Sequence, residues 1–118
     1  EQLEAEFGER VAHMVAELTD VSRPTDGNRA VRKAIDRRHL ARASSRAKTV
    51  KLADLIDNCS DIVKHDPKFG RVFVTEAAAL IEVLEGGNPR LLARARKKIN
   101  KSAEQLGLPP LQPAELLI

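Results

Sequence analysis

Apolar positions along this chain recur at helical spacing almost from end to end. Leu3, Phe7, Val11, Met14, Val15 and Leu18 predict a first amphipathic helix over residues 2–18. Gly8 weakens it locally, by roughly 1 kcal/mol relative to Ala. Thr19-Asp20 ends it, and Ser22-Arg23-Pro24-Thr25-Asp26-Gly27-Asn28 is a loop by composition. Residues 29–43 read as a strongly basic helix with few apolar anchors: Val31, Ile35 and Leu40. Ser44 or Ser45 then offers an N-cap for a helix over 46–64. Asp66-Pro67 breaks that helix. Phe69, Val72, Phe73, Ala77, Leu80, Ile81 and Leu84 define the next, with Gly86-Gly87 as its stop. Asn88-Pro89 restarts the chain with a cap and a Pro at the first helical position. Leu91, Leu92, Ala95, Ile99 and Leu106 carry the last long helix, and Gly107 closes it. No alternating strand pattern, repeat or low-complexity segment appears.

The 46–64 helix carries two stripes. Leu52, Leu55, Ile56, Cys59, Ile62 and Val63 form a wide apolar one. Ala47, Val50, Asp54, Asn58 and Asp61 form the other, which turns polar towards its C-terminal end. A helix apolar on two sides is expected to be central in a bundle. A polar patch on such a helix is where a bundle places its site. An unpaired buried carboxylate is costly, so Asp54 is expected to have a metal, a cation or hydrogen-bond donors as its partner.

Composition narrows the class. A chain of 118 residues is one domain at most. Aromatics are only 3%, with no Trp or Tyr, so the core must be Leu, Val, Ile and Ala. That suits packed helices and argues against nucleic-acid binding by base stacking. The single cysteine, Cys59, excludes an intramolecular disulfide and a Cys-rich zinc site. Its register with the apolar stripe reads as a buried structural thiol. There is no signal peptide and no apolar run long enough to span a membrane, so the default expectation is a soluble, cytoplasmic protein.

The net charge of +3 is unevenly spread. Residues 1–20 carry six acids against Arg10, while residues 29–46 carry seven bases against Asp36. A further basic block runs from Arg90 to Lys101. Such polarity steers an anionic ligand, or else belongs to solvated helix faces that pair with each other.

Two blocks carry a resemblance. Lys48-Thr49-Val50-Lys51-Leu52-Ala53-Asp54-Leu55-Ile56-Asp57-Asn58 fits K-x-x-K-L-A-D-x-x-x-N. Phe7-Gly8-Glu9-Arg10-Val11-Ala12-His13-Met14-Val15-Ala16-Glu17-Leu18-Thr19-Asp20 is similar to F-G-x-x-V-x-x-L-V-x-x-V-T-D. In this order and spacing, both resemble the HD-domain phosphohydrolases of the RelA/SpoT type, which include the stand-alone ppGpp hydrolases. The resemblance covers residues 1–105 and fades in the last dozen. It implies an all-α fold, the C-terminal two-thirds of an HD-type helical domain, in about five helices over residues 1–107. Residues 108–118 are then an apolar, proline-broken tail.

The resemblance also implies a chemistry: metal-dependent hydrolysis of a phosphoester or pyrophosphate in a nucleotide such as ppGpp. Asp54 matches the family's late metal ligand, to Mn²⁺ or another divalent ion. A metal-bound water is a nucleophile at neutral pH. The family's other ligands, an upstream His and the His-Asp pair of an H-D-x-x-E-D motif, should precede Phe7 and are absent here. Catalytic residues are therefore expected upstream. Either the chain is part of a longer protein or it is a truncated relative; as this chain alone, it is expected to hold no metal and to be inactive. One carboxylate makes a poor metal site.

Four further residues are candidate ligand contacts. Asn58 matches the family's nucleotide-contacting Asn, and reads equally as a helix-face Asn one turn from Asp54. Lys48 and Lys51 match the motif, and read also as surface lysines. Arg23 and the basic run can meet phosphates, since bidentate Arg–phosphate pairs are strong. Thr19 and Asp20 match the T-D pair, and read better as a helix end. His65-Asp66 is no HD motif: it follows Asp54 and sits at a helix end. His13, His39 and His65 all read as surface residues.

Two other functions stay open. One is a non-catalytic HD-fold protein acting through ligand binding or dimerisation; the apolar Leu116-Leu117-Ile118 end leaves a homodimer open. The other is nucleic-acid binding through Arg29–Arg46. Six or more phosphate contacts would make affinity fall roughly a thousandfold between 50 and 200 mM salt. We expect weak, non-specific binding that vanishes near physiological salt, because the acidic 1–20 segment neutralises part of the run. A fluorescence titration with duplex and single-stranded oligonucleotides at two salt concentrations checks this. Submicromolar binding at about 150 mM salt would put the nucleic-acid function first.

Overall fold

The computed structural model describes residues 2–109, and the side chains in that range except those of residues 2–4, 6 and 7. The tail with its Leu116-Leu117-Ile118 end, and the Leu3 and Phe7 side chains, lie outside the described residues. Five α-helices follow one another: α1 (Gln2–Leu18), α2 (Arg29–Ala41), α3 (Ser45–His65), α4 (Pro67–Ile81) and α5 (Pro89–Gln105). Single 3-10 turns at Pro24–Asp26 and Glu82–Leu84 interrupt the connections. The described residues contain no strand, so the class is all-α.

The helix starts follow from local chemistry. Asn28 accepts from the Val31 amide at 3.0 Å and opens α2. Ser44 Oγ accepts from the Ala47 amide at 3.1 Å and opens α3. Asp66, ahead of Pro67, accepts from the Phe69 amide at 3.2 Å and opens α4. Asn88, ahead of Pro89, accepts from the Arg90 and Leu91 amides at 2.9 and 3.1 Å and opens α5. Each such cap satisfies amides that the helix itself leaves unpaired, and contributes about 1 kcal/mol. At the far end, Gly107 adopts φ +71°, the left-handed position that closes α5. The helix predicted through Leu84 stops at Ile81 and tightens into the second 3-10 turn.

Helices α3, α4 and α5 enclose the core. Leu52, Leu55 and Cys59 of α3 meet Val74, Ala77, Ala78 and Ile81 of α4, with Leu84 between them and Ala95, Ile99 and Ala103 from α5. Small alanines on α4 let this aliphatic core close without large aromatics. Cys59 is fully buried, and burial pushes its thiol up to about 11, with Lys98 opposing weakly, so it stays protonated at neutral pH.

Only one stripe of α3 is buried. The expected second stripe keeps Ala47 inside, but Val50 is exposed and the Asp54 side chain is 48% exposed. Periodicity places these residues on one face; among the described residues, nothing buries that face beyond the first turn of α3. Helix α1 is fastened at its C-terminal end. The Glu17 carboxylate accepts from the amide and hydroxyl of Ser44, and His39 Nε2 donates to the Ala16 carbonyl at 2.9 Å. Val11 and Val15 on α1 are 57% and 56% exposed. Among the described residues, no helix is long and apolar enough to cross a membrane.

Two glycines should respond in opposite directions to Ala. A Cβ at Gly87 would lie 2.9 Å from Leu52 Cδ1 and 3.2 Å from the Lys48 backbone carbon. Gly87→Ala is expected to destabilise by about 1–3 kcal/mol, the usual cost of overpacking. A Cβ at Gly8 meets nothing within 4 Å inside α1. Gly8→Ala should leave stability unchanged or raise it by up to about 1 kcal/mol. Urea denaturation of both variants checks the pair.

Candidate ligand-binding cleft

One face of α2, the open face of α3 and the inner face of α4 surround a cavity of about 310 Å³. Helix α2 brings Arg29, Lys33 and Arg37, spaced four apart and therefore in one row. Helix α3 brings Lys51, Asp54 and Asn58, and α4 brings Phe69, Phe73 and Glu76. Leu40, Leu55, Ile62, Ala77 and Leu80 complete an apolar floor. Asp20 reaches the cavity from the segment after α1.

Three of the cavity's carboxylates are already engaged. Asp54 Oδ2 lies 3.3 Å from Lys51 Nζ, and its Oδ1 accepts from Asn58 Nδ2 at 3.2 Å. This pair of contacts is exposed and contributes little to stability. Glu76 takes Arg29 in a bidentate pair, Nε to Oε2 at 2.6 Å and Nη2 to Oε1 at 2.9 Å. The Arg29 guanidinium also lies 5.7 Å from the centre of the Phe69 ring.

Asp36 is the third, and among the described residues it is the buried acid, at 7% exposure. One of its oxygens accepts from the Val21 and Ser22 amides, both at 2.9 Å, and the other from Ser22 Oγ at 2.8 Å. Burial alone pushes its carboxyl up; the bonds from Ser22 and Val21, with Lys33 nearby, outweigh it and hold the carboxyl below its ordinary value. Asp36 therefore ties the segment after α1 to α2, next to Asp20.

Of the residues singled out in the sequence, the cleft brings together Asp54, Asn58, Lys51 and Asp20. Lys48 does not line it; its side chain lies against Gly86 and Gly87 on another side of α3. Arg23 is exposed at the start of the first 3-10 turn and does not line it either. Thr19 Oγ1 donates to the Val15 carbonyl at 2.5 Å, as a helix end does. His13 and His65 lie 3.6 Å from Glu17 and Asp61, one turn away on their own helices. Lys33, Arg37, Glu76 and Asp36 were not singled out individually. The four-residue spacing of Arg29, Lys33 and Arg37 was a visible signal. The partners of Glu76 and Asp36 were not, since they lie 47 and 14–15 residues away.

A divalent metal requires several converging donors. Among the described residues, no three of His, Cys, Asp and Glu are placed to hold one. Asp54 has a lysine on one oxygen and an amide on the other. The described residues alone thus do not fit the metal that the resemblance implies, and no step is derived through it. Compared with family models, curated proteins and solved structures, the chain has no match.

Asp36 gives a pH-dependent prediction. Its folded-state pKa is depressed, so its stabilisation is complete above the unfolded carboxylate value near about 3.9 and is lost as pH falls through the lower folded value. Asp36→Asn should cost about 1–3 kcal/mol at neutral pH, because amide donors lose a charged acceptor. The gap to the unsubstituted protein should stay level from about pH 5 to 8 and narrow below about pH 4. Urea titrations across that range measure it.

Proposed function

We propose that the cleft binds a phosphorylated ligand of the nucleotide class, as do the ppGpp hydrolases that the Asp54 segment resembles. One observation carries the reading: Lys33 and Arg37, which form no ion pair among the described residues, face the same cavity as Asp54 and Asn58. A phosphate accepts charge-assisted hydrogen bonds from such a row. The floor of Leu55, Phe73 and Leu80 suits the flat face of a base, and Asn58 offers a donor and an acceptor to its polar edge. The cavity volume lies at the lower end of small-molecule sites.

In this reading Lys33 and Arg37 bind the phosphate end, the apolar floor orients the base, and Lys51 with Asp54 and Asn58 forms the opposite wall. A metal-dependent phosphohydrolase would use Asp54 as one ligand among several, with Mn²⁺ supplying the activated water. The described residues account for binding and orientation only. The second reading, a non-catalytic HD-type protein, uses the same cleft. The exposed Val11 and Val15 on α1 favour its dimerising form. Nucleic-acid binding has less support, because Arg29 is paired with Glu76 and Lys33 and Arg37 border the same cleft as the apolar floor.

Calorimetric titration with GDP tests the proposal. Lys33→Ala and Arg37→Ala should each weaken binding by about tenfold, the size of a lost charge-assisted contact. Affinity unchanged from the unsubstituted chain in both variants would remove the phosphate assignment. In the same preparation, Mn²⁺ and ppGpp should give no release of pyrophosphate above background. Hydrolysis by this chain would mean that its metal donors have been misjudged.

A further inference from the structure

The N–H edge of Arg29 that would grip a phosphate is filled by a carboxylate. Its Nε and Nη2 both point at Glu76, at 2.6 and 2.9 Å. A guanidinium presents that fork with equal fit to a carboxylate or a phosphate. The Phe69 ring, its centre 5.7 Å from the same guanidinium, lines the cavity beside it. Lys33 and Arg37 continue the row along α2 without an ion pair among the described residues.

We propose that Arg29 is the bidentate phosphate contact of the cleft and that Glu76 occupies it until ligand displaces the carboxylate. This rests on the reading of the cleft as a phosphate site. Glu76 is a singly charged anion that engages Arg29 alone. A diphosphate carries more charge than one carboxylate, and its two phosphate groups lie along the row of Arg29, Lys33 and Arg37, whereas Glu76 meets Arg29 only. The Arg29–Glu76 pair is also half-exposed on the arginine side, so water weakens it. Glu76, with Arg29, Lys33 and Arg37, also borders a second groove between α2 and α4, which gives the displaced carboxylate somewhere to turn. The exchange makes the cleft selective: a ligand with a weakly charged end does not repay the broken pair, whereas a terminal phosphate does.

The test is calorimetry with GDP on the full chain, as it stands and as Glu76→Gln, Arg29→Lys and the double variant, with a thermal melt of each. Glu76→Gln should bind about fivefold tighter, the upper range for an exposed ion pair. Arg29→Lys keeps the charge but loses the fork, and should bind about tenfold weaker. The double variant should bind no better than Arg29→Lys. On the unsubstituted chain, the Arg29 Nε–H resonance should move on adding GDP, which needs no variant to fold. Binding by the unsubstituted chain with Glu76→Gln equal or weaker at an unchanged melting point, or with an unmoved Arg29 signal, overturns this inference and leaves the phosphate site standing. Binding by none of the four proteins removes the phosphate site, and the inference with it.

Discussion

The close approach of the turn at Gly87 to α3 is the constraint on which the cleft depends. Gly87 sits against Leu52 and the Lys48 backbone so tightly that a methyl group there would force a shift. The next residue, Asn88, donates its amide to Thr49 Oγ1 at 2.9 Å and caps α5 with its side chain. One turn thus fixes the end of α4, the start of α5 and the first half of α3 together. Leu52 and Leu84, both without exposed surface, fill the space beneath it. With α3 and α4 held at that end, the Asp54 face of one and the Glu76 face of the other stand across a gap. Helix α2 then closes the third side, joined to α4 by the Arg29–Glu76 pair.

How much of this could be read from the sequence follows from range. Helix boundaries depend on neighbours within four residues, and Ser44, Asp66-Pro67 and Asn88-Pro89 all open helices where the pattern places them. The apolar stripe of α3 was equally legible, since every member of it faces one way. Which faces have cover is a tertiary matter, and there the pattern failed. Asp54 shares a face with Ala47 and Val50, yet that face opens on a cleft and its carboxylate is half in solvent. The acid that is buried, Asp36, stands in the most basic run of the chain. Its donors come from the Val21 and Ser22 backbone, which composition marks only as a loop.

The two acids make opposite use of their hydrogen bonds. Asp36 spends its acceptor capacity on amides that would otherwise lack partners near α2, so its role is to hold the segment after α1 in place. Asp54 takes a flexible lysine and a side-chain amide, both of which can release it without exposing a buried group. A group that can be released at little cost is available to a ligand; one that cannot is structural.

Charge around the cleft points the same way. Four basic side chains, Arg29, Lys33, Arg37 and Lys51, face four acids, Asp20, Asp36, Asp54 and Glu76. A strongly cationic pocket would attract any polyanion, with little discrimination. Here two of the cations are matched to acids within 4 Å and two are not. Lys33 and Arg37, without an ion pair among the described residues, line the cavity together with the apolar floor. An anion gains most there only if its other end is flat and apolar enough to cover Leu55 and Phe73. Recognition in such a site comes from the ligand satisfying charge and apolar surface at once, since neither a bare phosphate nor a neutral ring uses both halves of the cavity.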